Sequence, residues 1–153
     1  MTPRQSFALT LALPFTLTLF ATAAPALAQT CVTVEVHNVR PQQGQIMLAA
    51  FTDAETFGKK AVVSLRVAAG DAITPVQLCG VAGDIVALTL YQDLDGDGKM
   101  GRNVLGMPSE PWGSSGTPGS FGPSWETAKV ALNSGISGIS GISGSAIIVK
   151  LSQ

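Results

Sequence analysis

Residues 29–153 predict an all-β fold, a single antiparallel β-sandwich of about seven short strands with one long Gly/Pro-rich loop. Three observations lead there. Short stretches alternate apolar and polar residues, the period of a half-buried strand. Clusters of Gly, Pro and Asp separate them as turn signals. No segment carries the apolar spacing of an amphipathic helix.

The first 28 residues stand apart. Arg4 is the only charge before Glu35, and from Phe7 the chain is apolar, softened by threonines. The stretch ends in Ala26-Leu27-Ala28, the small-residue pattern that signal peptidase cuts. Residues 1–28 therefore read as a cleavable signal peptide and 29–153 as the exported domain. The repeated threonines and Pro25 argue against a retained membrane anchor. No later segment has the unbroken apolar length of a membrane helix. Export places the mature chain in the periplasm or outside the cell.

The strands follow in order. Val32, Val34 and Val36 face inward, with Thr33, Glu35 and His37 outward. Residues 40–44 turn the chain into a second strand over 45–52. Residues 53–60 are polar and looped. Val63, Leu65 and Val67 mark a third strand, and 73–79 a fourth, where Pro75 favours an edge or a strand start. Residues 81–84 turn into 85–92, the most apolar strand. Residues 127–132 and 145–151 restore strand pattern at the end. Between them, Gly-Ile-Ser is read three times over 135–143. That period is too short for a stacked repeat fold, so the tract reads as an expanded hairpin loop between the last two strands.

Composition excludes some classes. The chain has 9 basic and 10 acidic side chains with no basic cluster, so nucleic-acid binding is not expected. Cys31 and Cys79 are the only cysteines. An even count in an exported chain points to a disulfide between them. His37 is the only histidine and supplies no partner for a zinc motif.

Residues 93–124 have no period of either kind and carry the chemistry. In Asp93-Leu94-Asp95-Gly96-Asp97-Gly98-Lys99-Met100, carboxylates occupy positions one, three and five, with Gly at six. This is the first half of an EF-hand-type loop, in which alternate residues of a tight turn converge on a hard cation. The metal set expected for Ca2+ is Asp93, Asp95, Asp97, the Lys99 carbonyl and, folding back, Glu110. The second half departs, with Gly101 at position nine and Val104 where a bidentate Glu would stand. The same residues also read as a solvated Asp/Gly turn without metal. Tyr91, Trp112, Phe121 and Trp125 form a candidate surface for an envelope ligand or protein partner, or else pin the loop to the sandwich. No catalytic residue is assigned. Ser114 and Ser115 lack a G-x-S-x-G elbow, and an outward His37 assembles no nucleophile–base pair. The alternative reading is a hydrolase of envelope polymers using Glu110 and an aspartate as a carboxylate pair.

These stretches resemble family 2141 of the bacterial domains of unknown function. The likeness rests on 44–51, on 91–99 with its Asp-Gly turn and Lys, on Gly106, Pro108 and Glu110 in a G-x-P-x-E motif, on Trp112-Gly113-Ser114, and on the stretch from Phe121 to Ala128, set against the family's F-x-x-A segment. Gly101 departs from it, since the family commonly carries an acid there. The resemblance implies a small exported β-sandwich and no reaction. The expected Ig-like or transthyretin-like sandwich is also similar to the carboxypeptidase-regulatory-like sandwiches, and such architectures are used mostly by binding and structural modules.

Overall fold

The computed structural model describes residues 31–119, 122–132 and 146–152. The signal-peptide expectation for 1–28 and the Gly-Ile-Ser tract lie outside these residues. Strands β1 (Cys31–His37), β2 (Gln45–Phe51), β3 (Val63–Ala68), β4 (Ile73–Cys79) and β5 (Ile85–Asp93) fall where the alternation places them. Then come β6 (Trp112–Ser114), the helical turn α1 (Trp125–Ala128), β7 (Lys129–Ala131) and β8 (Ile147–Lys150).

Two sheets form. One has the order β4-β1-β8, the other β3-β2-β5-β6, with β7 also pairing β5. The pairs are antiparallel except β1–β8, which is parallel. The strand alternation then sorts side chains between a shared interior and two outer faces. Val34, Val36, Val76, Leu78 and Val149 come inward from one sheet, and Ile46, Leu48, Ala50, Val86, Leu88 and Leu90 from the other. β5 is apolar because it is paired on both sides and buried at its centre. Pro75, which cannot donate to a ladder, sits on the edge strand β4 opposite Glu35.

Three sequence expectations change. Residues 127–132 split into α1 and β7. Ser124 caps the helical turn, and its side chain and that of Thr127 satisfy each other's backbone amides in a capping box. Strand β6 arises within the aperiodic stretch. It is three residues long, too short to show a period, and tertiary pairing with β5 creates it. The last two strands are not a hairpin, because β7 pairs β5 in one sheet and β8 pairs β1 in the other.

β6 and β7 share one edge of β5 with a break between them at Leu88. Ser115 spans it. Its amide donates to the Leu88 carbonyl at 3.0 Å, and its Oγ accepts the Leu88 amide at 2.7 Å and donates to the Ala128 carbonyl. Ser115 is wholly buried and its hydroxyl is committed to the backbone.

At the end of the sandwich that bears the acidic loop, Gln92 serves as a polar clamp. It is fully buried, donates to the carbonyls of Arg40 and Gln43 at 2.8 and 2.7 Å, and accepts the Arg40 amide at 2.9 Å. This ties the β1–β2 turn to β5, and a buried amide satisfied on both sides is cheap to keep. Gly44 closes the turn at φ 61°, where a Cβ would lie 1.9 Å from the Asp93 carbonyl oxygen. Only glycine lets the two backbones meet this closely.

Candidate functional site

β5 delivers Asp93 to the rim of the sandwich almost wholly buried, at 1% exposure. Burying a carboxylate costs free energy unless hydrogen bonds replace water. Both oxygens are provided for. Oδ1 accepts the Gly96 amide at 2.7 Å and Oδ2 accepts the Gly98 amide at 2.9 Å. Gly96 and Gly98 take φ of 78° and 76°, which lets the chain curl around the carboxylate. Asp95 Oδ1 then accepts the Asp97 amide at 3.1 Å, and Asp97 Oδ1 the Lys99 amide at 2.7 Å. One oxygen from each of Asp93, Asp95 and Asp97 falls within 4.8 Å of the others, with Asp95 and Asp97 exposed. Like charges this close repel, by about 1 kcal/mol per pair at 4 Å in water and several-fold more in a partly buried setting. The two surface aspartates each spend one oxygen on the turn in these bonds.

Glu110 folds back on the loop, as its position beyond Gly106 and Pro108 predicts, but with a different task from the metal ligand expected of it. Its Oε1 accepts the Leu94 amide at 2.8 Å and its Oε2 accepts the Gly101 amide at 2.8 Å. One carboxylate thus holds both ends of the acidic turn together, and it is buried at 8% exposure. Gly101 yields space for this. A Cβ there would meet Ser109 Oγ at 2.7 Å and the Glu110 Cγ at 3.3 Å. With both oxygens engaged by amides, Glu110 is poorly placed to act as a proton donor in a carboxylate pair.

Tyr91 and Arg66 complete the surroundings. The Tyr91 hydroxyl donates to the Gly98 carbonyl at 3.0 Å, and a Cβ on Gly98 would lie 3.1 Å from Arg66 Nη2. Burial, then the charges of Asp93, Glu110 and Asp97, raise the pKa of Tyr91 above its ordinary 10.0, with Arg66 acting in the opposite direction.

The aromatic residues divide. Tyr91 and Trp112 are direct partners across β5 and β6. They share the outer face of the five-stranded sheet with Met47, the partner of Tyr91 on β2. A shallow depression of about 200 Å³ lies beside them, lined by Met47, Ala49, Ser64, Thr89 and Tyr91. Trp125 is engaged elsewhere, its ring 6.3 Å from Phe57, which itself stands 5.1 Å from Phe51. That cluster covers the other end of the same sheet face. Among the described residues no ring contact joins Trp125 to Tyr91 or Trp112, and Phe121 lies outside them.

His37 lies on the outer face of the other sheet, its Nε2 3.3 Å from Glu35 Oε2. The two serines have distinct roles. Ser115 bridges the sheet edge, whereas the Ser114 Oγ is buried with no hydrogen-bond partner among the described residues.

On the outer face of the three-stranded sheet, Cys31 and Cys79 are bonded, with Cα atoms 4.1 Å apart. They are direct cross-strand partners in β1 and β4, and strand pairing already brings their Cα atoms within bonding range. Among the described residues no helix is long and apolar enough to cross a membrane.

A family model described as an uncharacterized protein conserved in bacteria (DUF2141) matches residues 34–139. Neither the comparison with curated proteins nor that with solved structures found a match. The matched span takes in β2 through β7, the Asp-Gly turn, the Glu110 clamp and the aromatic pair, and the chain belongs to the DUF2141 family.

Proposed function

We propose that this protein is a non-catalytic binding module of the bacterial cell envelope, exported by residues 1–28, whose acidic loop takes Ca2+. The observation that carries the calcium reading is the approach of Asp93, Asp95 and Asp97 to within 4.8 Å through their carboxylate oxygens. All are hard oxygen donors, which suit Ca2+ and not Zn2+. Lys99 follows at the position whose carbonyl completes such turns. A cation offsets the mutual repulsion of the carboxylates, and the Glu110 clamp holds the turn in shape without it. Export is supported by the Cys31–Cys79 bond, since disulfides persist in oxidising compartments. The binding surface in this reading is the outer face around Tyr91 and Trp112, an aromatic shelf for an envelope ligand or protein.

The test is thermal melting. A ligand that binds only the folded state stabilises it by mass action, by about 2.7 kcal/mol at a hundredfold excess over Kd. Calcium in the millimolar range raises the Tm of the wild type, and Asp95→Ala abolishes the increase. A wild-type melting curve indifferent to calcium refutes the metal reading.

A further inference from the structure

The edges of the two sheets approach each other where β6 nears β8. They are joined at one point. The Ser152 amide donates to the Trp112 carbonyl at 2.7 Å, and the Ser152 Oγ accepts the Trp112 amide at 3.2 Å. Gly113 packs against the Lys150 carbonyl, whose oxygen would stand 2.5 Å from a Cβ on that glycine. Elsewhere β6 and β8 form no ladder with each other. A cleft of about 490 Å³ opens beside the junction, lined among others by Trp112, Ser114, Thr117, Ile148 and Lys150. That volume suits a bound ligand.

The hydrogen bonds that do form fix which way the backbone faces. The Leu151 amide donates to the His37 carbonyl at 3.0 Å, so Leu151 and Val149 turn their peptide groups toward β1. Ile148 and Lys150, one residue out of phase, turn theirs away from it. On β6 the Ser115 amide goes to Leu88 and the Pro111 carbonyl accepts the Gln92 amide. Ser114 therefore turns its peptide groups away from β5. Among the described residues no strand pairs with the far edge of β8. Open amides and carbonyls at strand spacing are a template for one more strand. In the same wall the Ser114 Oγ is a hydroxyl without a partner among the described residues, on a side chain only 4% exposed.

We infer that the cleft between β6 and β8 captures an extended peptide with an acidic side chain, which adds as a strand to the free edge of β8. Only a polypeptide presents donors and acceptors alternating at the repeat of such an edge. Charge names the kind of peptide. Lys150 is exposed and has no ion pair among the described residues, while Glu35 on the adjoining strand is turned to His37 at 3.3 Å. An added strand places a side chain beside Lys150, where an opposite charge is favourable and a like charge is not. The chain's own segments lack that charge. The edge strands β3, β4, β6 and β8 carry no acidic residue, and neither do residues 133–145. Pro75 further guards the edge of β4. Peptide capture at this seam does not require calcium.

The test is calorimetry of the full chain with two capped hexapeptides of alternating threonine and valine, one with a central aspartate and the other with a central lysine in place of threonine. Wild type binds the aspartate peptide, and the lysine peptide several-fold more weakly. Lys150→Glu reverses that order. Ile148→Pro abolishes the binding of both, because it removes an amide that faces the cleft and none that bonds to β1. Its Tm should therefore stay close to that of wild type. If the proline lowers the Tm, the charge reversal at an exposed side chain still decides. Wild type that binds neither peptide overturns the inference, as does a preference unchanged in Lys150→Glu or binding indifferent to Ile148→Pro in a folded variant. A concentration-dependent dimer that Ile148→Pro dissociates, with no peptide bound, assigns the edge to a second copy and overturns it. Peptide binding that appears only when residues 135–143 are replaced by a short linker assigns the edge to that tract and overturns it as well. Peptide binding by a protein whose Tm ignores calcium refutes the metal reading alone. A calcium-dependent Tm without peptide binding refutes peptide capture alone.

Discussion

The Glu110 carboxylate accepts the amide of Leu94 at 2.8 Å across sixteen residues of loop. Its other oxygen takes the Gly101 amide. A single side chain thereby closes the acidic turn into a ring, and the geometry of Asp93, Asp95 and Asp97 depends on it.

Glu110→Gln is expected to open that ring. Glutamine keeps one acceptor and turns an NH2 group toward the second amide, leaving a partly buried donor unmet. The cost is about 1–3 kcal/mol. Hydrogen exchange at the Leu94 and Gly101 amides should accelerate, with a Tm lower by several degrees. Unchanged protection at both amides would show that the clamp does not hold the turn.

Tyr91 is the only tyrosine, so phenolate absorbance reads it directly. Burial and the nearby carboxylates favour the neutral phenol, so its pKa rises on folding. The folded state then holds the proton more tightly than the unfolded state. This contribution to stability is complete below pH 10.0 and is lost as pH climbs from there through the raised folded value. Tyr91→Phe should remove that part of the alkaline loss. A cation at Asp93 and Asp97 should bring the phenol pKa back down. If the titration midpoint is the same with and without calcium, no cation sits near these carboxylates.

The Cys31–Cys79 bond joins strand ends 48 residues apart in sequence. A crosslink of that span contributes about 2–4 kcal/mol, chiefly by restricting the unfolded chain. Cys79→Ser is expected to lower the Tm by roughly 10 °C. Intact mass with alkylation, before and after reduction, checks the pairing in protein taken from the periplasm. Two alkylated thiols without reduction would contradict it.

Gly44→Ala probes the contact between the β1–β2 turn and the start of the loop. Its Cβ would fall 1.9 Å from the Asp93 carbonyl oxygen, at a φ that non-glycine residues rarely adopt. The backbones must separate, at a cost above about 1 kcal/mol by chemical denaturation. Because Asp93 moves with them, the calcium response of the Tm should shrink as well. A variant as stable as wild type would mean that the two backbones part without strain.

Much of the candidate site was legible early. The spacing of Asp93, Asp95 and Asp97 with Gly96 and Gly98 is local information, because a tight turn brings alternate side chains together through bonds within a few residues. The Glu110 clamp was half legible. Gly106 and Pro108 announce a reversal of the chain, but which donors the carboxylate meets depends on where Leu94 and Gly101 stand after folding. The aromatic surface was least legible. A list of aromatic residues carries no register, and the pairing of β5 with β6 sets Trp112 beside Tyr91 whereas α1 turns Trp125 toward Phe57.

By itself the sequence determined the strands from β1 to β5, the cysteine pair and the acidic turn. Each is written in short-range alternation, turn chemistry or residue count. Tertiary structure alone decided the rest. It created β6, a strand too short to carry a period. It set β8 parallel to β1, since strand direction depends on a crossover between sheets and not on residue type. It made Ser115 a bridge across the sheet edge and Glu110 a clamp, because hydrogen-bond partners distant in the chain are chosen only when the sheets have packed.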